Sequence, residues 1–224
     1  MSQSHLRIPF ALRLADQILV GPEDVPRGVA CGCICPSCKL PLVANQGDQK
    51  VWHFSHNSRG HDREVAQQCE YSFYVSITAM TKQLLRDALD LDVPTYMSTV
   101  YYPPGVVGAL TREFEVAPKQ TLRPTRVDVD VDAEVNGTTC DAVLWLGEYR
   151  VVLFLTHKDK PLPQISGWSV KDLRTGVMEI DLTAVEKSYG EVRAGDAFKA
   201  SIGEFLQKNL DSVELHPKLT HFEG

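Results

Sequence analysis

Cys35-Pro36-Ser37-Cys38 and, fourteen residues later, His53-Phe54-Ser55-His56 constrain this chain more than any other stretch. Two cysteines two residues apart can aim both sulfurs at one ion from a tight turn, and two histidines at the same interval can close the site. Four such ligands suit tetrahedral Zn²⁺, with thiolates at about 2.3 Å and imidazole nitrogens at about 2.0–2.1 Å. The spacing predicts Cys35, Cys38, His53 and His56 as structural zinc ligands. The alternative is a set of reduced cysteines in a turn beside two surface histidines. Cys31 and Cys33 precede the knuckle, with Gly32 and Pro36 supplying bends. If residues 31–35 enter as a strand, the three cysteines share one face, so Cys31 or Cys33 stays open as a substitute ligand.

A chain of 224 residues can bury one good core, or a small metal module plus a larger domain. No apolar run approaches the roughly twenty residues that span a bilayer. The first residues lack the apolar centre of a signal peptide. Six cysteines, four of them in one metal-like cluster, point to a reducing compartment and a cytoplasmic protein. The formal net charge of −6 argues against a generally basic nucleic-acid binder.

Loose alternation over residues 6–20 predicts a strand or hairpin leading into the knuckle. Pro41–Ala44 and Lys50–Phe54 read as two short strands joined by a turn at Asn45–Asp48, a hairpin that carries His53 and His56 back to the cysteines. Residues 57–62 form a polar loop. From Arg63 to Leu91, Val65, Phe73, Ile77, Met80, Leu84, Leu85 and Ala88 recur at helical intervals. Pro103-Pro104-Gly105 marks a loop. Arg126–Val135 alternates carboxylates with apolar groups. Asn136-Gly137 turns into Cys140–Leu146, Gly147-Glu148 turns again, and Tyr149–Thr156 is a buried strand by its continuous apolar character. Gly176–Leu182 is a further strand, and a helix lies near Asp196–Leu210. This predicts a mixed α/β, or α+β, chain: a zinc-binding β-rich module over 1–62, then a domain over 63–224.

Four of these stretches resemble the CoiA-like competence protein family, which pairs a zinc-finger-like N-terminal region with a restriction-endonuclease-like, PD-(D/E)XK domain. Cys35-Pro36-Ser37-Cys38 is similar to the family's CPxC knuckle and His53-Phe54-Ser55-His56 to its HFxH. Thr156-His157 with Asp159 is similar to a THxxD segment, and Glu179-Ile180-Asp181-Leu182 to its EIDLS strand. The resemblance implies phosphodiester hydrolysis assisted by Mg²⁺ or Mn²⁺, held by an Asp on one hairpin strand and a Glu on the next. Asp141 matches that Asp, with Cys140 where proline would stand. The next strand, Val151–Leu155, carries no acid. The helix pattern Glu-x-x-x-His-x-x-x-Lys reads Tyr74, Thr78 and Lys82, so only the lysine survives, and Glu70 lies a turn too early.

The resemblance therefore implies a degenerate nuclease fold with Asp141, Lys82 and His157 as its catalytic-type residues, binding DNA or a nucleoprotein in a DNA-processing or defence system. Two other readings stand beside it: an active Mg²⁺- or Mn²⁺-dependent DNA nuclease with a relocated second acid, and a protein-binding adaptor in a larger complex. Asp128, Asp130, Asp132 and Glu134 are the candidates for that acid; the plainer reading is a solvated strand face, with an Arg or Lys from a neighbouring strand expected to offset the repulsion. Plainer roles also exist for Asp141, which can cap the Asn136–Thr139 turn, for His157, which can cap a strand end and bond Asp159, and for Lys82, which can snorkel. Glu179 and Asp181 read as side chains at a sheet surface.

Overall fold

A computed structural model describes residues 7–57, 69, 72–87, 90–101, 111–129, 134–135, 138–163, 174–192, 195, 198–208 and 213–216. Among these the chain is mixed α/β and strand-rich, with three α-helices. The backbone groups into two units: Met1–Asp87 with Leu182–Phe205, and Ala88–Asp181 with Leu206–Gly224. This places helix Ser72–Arg86 with the N-terminal residues, whereas the sequence reading puts it after a 62/63 boundary.

In the first unit, β1 (Ala11–Arg13) and β2 (Leu19–Val20) form the expected hairpin, and β3 (Cys33–Ile34) pairs with β1 on its other side. The expected strand through residues 31–35 is interrupted. Val29–Cys31 is one turn of 3-10 helix, and Gly32 sits at φ +62°, a left-handed conformation that glycine adopts without a Cβ penalty. The three cysteines therefore do not share a face by simple alternation. β4 (Leu42–Asn45) and β5 (His53–His56) are antiparallel, with Asn45 opposite His53. The hairpin exists as expected, but residues 46–52 form its loop and β5 begins only at His53.

Helix α1 (Ser72–Arg86) realises the core of the expected Arg63–Leu91 periodicity. Phe73, Ile77, Met80 and Leu85 are all fully buried. Residues 63–68 and the 57–62 loop beyond Asn57 lie outside the described residues, as do Val65, Glu70 and Pro103–Gly105. The Gln83 amide docks α1 on β2, donating to Leu19 O at 3.0 Å and accepting from Leu19 N–H at 2.9 Å. Two helices come from the end of the chain: α2 (Thr183–Glu191), which the periodicity did not reveal, and α3 (Phe198–Lys208), which was expected. Tyr189 of α2 packs 5.4 Å from Phe73 and 4.7 Å from Phe198, and Phe198 stacks on Phe10 at 5.7 Å.

The second unit is built on a five-stranded sheet. β10 (Arg126–Val129), β13 (Ala142–Leu146) and β14 (Tyr149–Thr156) run as an antiparallel meander, β15 (Thr175–Asp181) lies parallel to β14, and β16 (Val213–His216) closes the order antiparallel. β14 is central, and Val152–Thr156 are buried, so it reads as a continuous apolar run. Gly147 at φ +66° makes the two-residue turn between β13 and β14, with Leu146 paired to Tyr149. The strand expected over 126–135 is described in two pieces: β10, and β11 (Glu134–Val135), which pairs with β12 (Thr138–Thr139) across the predicted Asn136-Gly137 turn. Asp130, Asp132, Asn136 and Gly137 lie outside the described residues. Two further ribbons, β6 (Leu91–Val93) with β9 (Gln120–Leu122) and β7 (Tyr96–Tyr101) with β8 (Thr111–Ala117), complete the unit.

Candidate metal centre

The knuckle is set by its backbone. Cys35 N–H donates to Leu40 O at 2.8 Å, Lys39 N–H donates to Cys35 O at 3.0 Å, and Lys39 takes a left-handed φ of +62°. The turn brings the sulfurs of Cys35 and Cys38 together with His56 of β5 and Cys69, and all four ligand atoms lie within 4.8 Å of one another. Cys35 Sγ is 3.7 Å from Cys69 Sγ, and Cys38 Sγ is 3.2 Å from His56 Nε2. A tetrahedron with metal–sulfur bonds of about 2.3 Å has sulfur–sulfur edges of about 3.8 Å. The Cys35–Cys69 separation is thus the edge such a site requires. This cluster could hold a metal ion such as zinc.

Three of the predicted ligands, Cys35, Cys38 and His56, are in the cluster; His53 is not. Strand geometry gives the reason. Side chains alternate between faces, so residues three apart on β5 point to opposite sides. His56 shares the side of Phe54, which is fully buried in the cysteine-lined core. His53 shares the side of Ser55, and its Nδ1 lies 2.9 Å from Val51 O. Cys69 takes the fourth place, and the sequence reading missed it. Its signal was its position as the one remaining cysteine near the N-terminal run, three residues before α1.

Cys31 and Cys33 stand outside the cluster. Cys31 Sγ donates to Leu42 O at 3.3 Å and Cys33 Sγ donates to Cys31 O at 3.2 Å. Burial pushes the Cys33 thiol up to about 12, which keeps it a protonated donor. In the cluster, burial pushes Cys35 up to about 12 although the N–H groups of Cys38 and Ser37 pull the other way. Burial also raises Cys38 and lowers His56. Desolvation therefore favours uncharged thiols and imidazole; a bound cation supplies the charge that thiolates need.

The catalytic-type residues divide between the units. Lys82 lies on α1 of the first unit; Asp141 and His157 belong to the second. Asp141 immediately precedes β13 and is 5 % exposed. Its N–H donates to Leu153 O at 3.0 Å, while Leu155 N–H donates to its Oδ2 at 2.9 Å, so the carboxylate continues the ladder to β14. It does not merely cap a turn. Lys160 Nζ lies 2.6 Å from both carboxylate oxygens. Sequence reading did not single out Lys160. It reaches Asp141 because residues 157–160 turn back, with His157 N–H donating to Lys160 O at 3.1 Å and the reverse bond at 2.9 Å.

His157 Nδ1 accepts from Asp159 N–H at 3.2 Å, which places the ring proton on Nε2; its bond is to the backbone of Asp159. Burial lowers its pKa below the ordinary 6.5, with Asp159 pulling upward. The unfolded chain thus takes up this proton at a higher pH than the folded one, so stability rises with pH through this range and falls as pH drops below about 6.5. The urea midpoint is expected to be lower at pH 5 than at pH 7, and His157→Gln is expected to narrow that difference.

Glu179 sits on β15 opposite Phe154 and accepts from Thr156 Oγ1 at 2.6 Å; Asp181 is opposite Thr156. Asp128 accepts from Trp145 Nε1–H at 2.7 Å and pairs with Arg126 at 3.0 Å, while Arg126 lies over the Trp145 ring at 4.5 Å. The offsetting cation for Asp128 thus comes from its own strand and not, as expected, from a neighbouring one. No described helix is long and apolar enough to cross a membrane. Comparison with models of protein families, with curated proteins and with solved structures finds no match to this chain.

Proposed function

We propose that this chain is a zinc-stabilised, CoiA-like protein with a degenerate nuclease-type sheet, and that it serves as a DNA- or nucleoprotein-binding component of a DNA-processing or defence system. The environment of Asp141 carries this reading. Both of its oxygens accept from Lys160 and one also accepts from Leu155 N–H. A divalent ion would have to displace that ammonium. On β14, where the nuclease pattern needs a second acid, the chain offers Phe154 and Thr156. One carboxylate with an ammonium against it attracts Mg²⁺ poorly, since Mg²⁺ is bound through one or two free carboxylates and keeps several waters. DNA as the partner rests on the four family-like segments.

The nuclease reading has one observation in its favour: Glu179 brings a carboxylate to the strand beside β14, opposite Phe154. The test is incubation of single- and double-stranded DNA with purified protein and Mg²⁺ or Mn²⁺, beside Asp141→Ala. The expected result is no cleavage above the Asp141→Ala background, with DNA binding that weakens steeply as salt rises. Cleavage that disappears in Asp141→Ala would make the protein an enzyme. Absence of both cleavage and DNA binding would favour the adaptor reading.

A further inference from the structure

We infer that Cys35 and Cys69 form a peroxide-sensitive pair whose oxidation releases the metal; this rests on the reading of zinc in the Cys35/Cys38/His56/Cys69 cluster. Three thiolates around Zn²⁺ leave the site with a net negative charge, which keeps its sulfurs nucleophilic. Access is uneven. Cys35 is fully buried, while Cys38 and Cys69 are partly exposed. Cys69 is therefore open to a small oxidant, and Cys35 stands behind it at 3.7 Å. A disulfide needs about 2.05 Å, so the two sulfurs must close by about 1.7 Å.

Cys35 and Cys38 are fixed in one turn by the Cys35–Leu40 and Lys39–Cys35 backbone bonds. Cys69 reaches the site from a separate part of the chain, 34 residues on from Cys35. A link to Cys35 would join that separate part of the chain to the knuckle.

The chemistry balances with a peroxide as oxidant. The Cys69 thiolate attacks one peroxide oxygen, the O–O bond breaks, and a sulfenic acid and hydroxide form. The Cys35 thiolate then attacks the Cys69 sulfur, the S–O bond breaks, and a second hydroxide leaves as the disulfide forms. Two thiolates are oxidised by two electrons, and one peroxide is reduced. Zinc is left with Cys38 and His56 and departs.

The experiment uses the full chain loaded with zinc, treated with hydrogen peroxide in the presence of a chromogenic zinc chelator. Disulfides are then mapped by non-reducing peptide mass spectrometry. The expected result is one zinc released per disulfide, the Cys35 peptide joined to the Cys69 peptide, and recovery of zinc binding after thiol reduction. Cys69→His keeps a fourth ligand and is expected to slow release at least about tenfold. Retention of zinc through peroxide treatment, a Cys35–Cys38 link, or unchanged release from a zinc-loaded Cys69→His protein would overturn this inference alone. A full chain that takes up no zinc before peroxide is added would remove the metal reading, and this inference with it.

Discussion

Cys69→Ala is expected to abolish stoichiometric zinc binding and to lower the thermal midpoint by about 10 °C, while His53→Ala leaves the metal in place. Loss of a structural metal ranks among the few single changes that cost about 4 kcal/mol or more. In a chain of this size each kcal/mol moves the midpoint by about 2–4 °C. Cys69 closes the site at 3.7 Å from Cys35, and His53 lies on the other side of β5. Metal content by mass spectrometry and a melting scan of both variants check the ligand set directly. Metal lost from His53→Ala and kept by Cys69→Ala would put His53 back in the site and Cys69 out of it.

Lys160→Met is expected to destabilise the second unit by about 2 kcal/mol. Breaking a buried ion pair by removing one partner costs about 3–5 kcal/mol, because the other charge is stranded. Here the Lys160 side chain is 45 % exposed against 7 % for Asp141, so water screens part of the loss. Asp141→Asn in the Lys160→Met background removes the stranded charge while keeping a carbonyl oxygen for Leu155 N–H, and most of the stability is expected to return. Urea midpoints of the two single variants and the double variant measure the coupling. A double variant as unstable as the sum of its parts would mean that the pair does not hold this end of β13 to β14.

The features legible in the sequence were those set by local rules. The apolar run Val151–Leu155 had to be central in a sheet, Gly147 had to turn, and Cys35–Cys38 had to form a knuckle. What escaped depended on distance or on parity. Cys69 lies 31 residues beyond Cys38, and only the path of the folded chain brings it to the knuckle. The exclusion of His53 was within reach, because a strand ending in His-Phe-Ser-His must send its two histidines to opposite faces. Lys160 was hidden by a four-residue turn with no glycine or proline to mark it. The β7–β8 ribbon escaped for a different reason. Glu113-Phe114-Glu115-Val116 alternates as a strand does, but the stretch is short and Arg112–Val116 are all exposed, so no buried face marks it.

The interleaving of the two units imposes an order on synthesis. All four residues of the candidate metal centre have been made once Cys69 is added to the chain. Tyr189 and Phe198, which pack against Phe73 and Phe10, are translated only after the sheet strands β10–β15. The N-terminal unit must therefore wait for most of its neighbour to be made before its aromatic layer closes. A fragment ending at Asp87 would keep the four clustered residues and lack that layer.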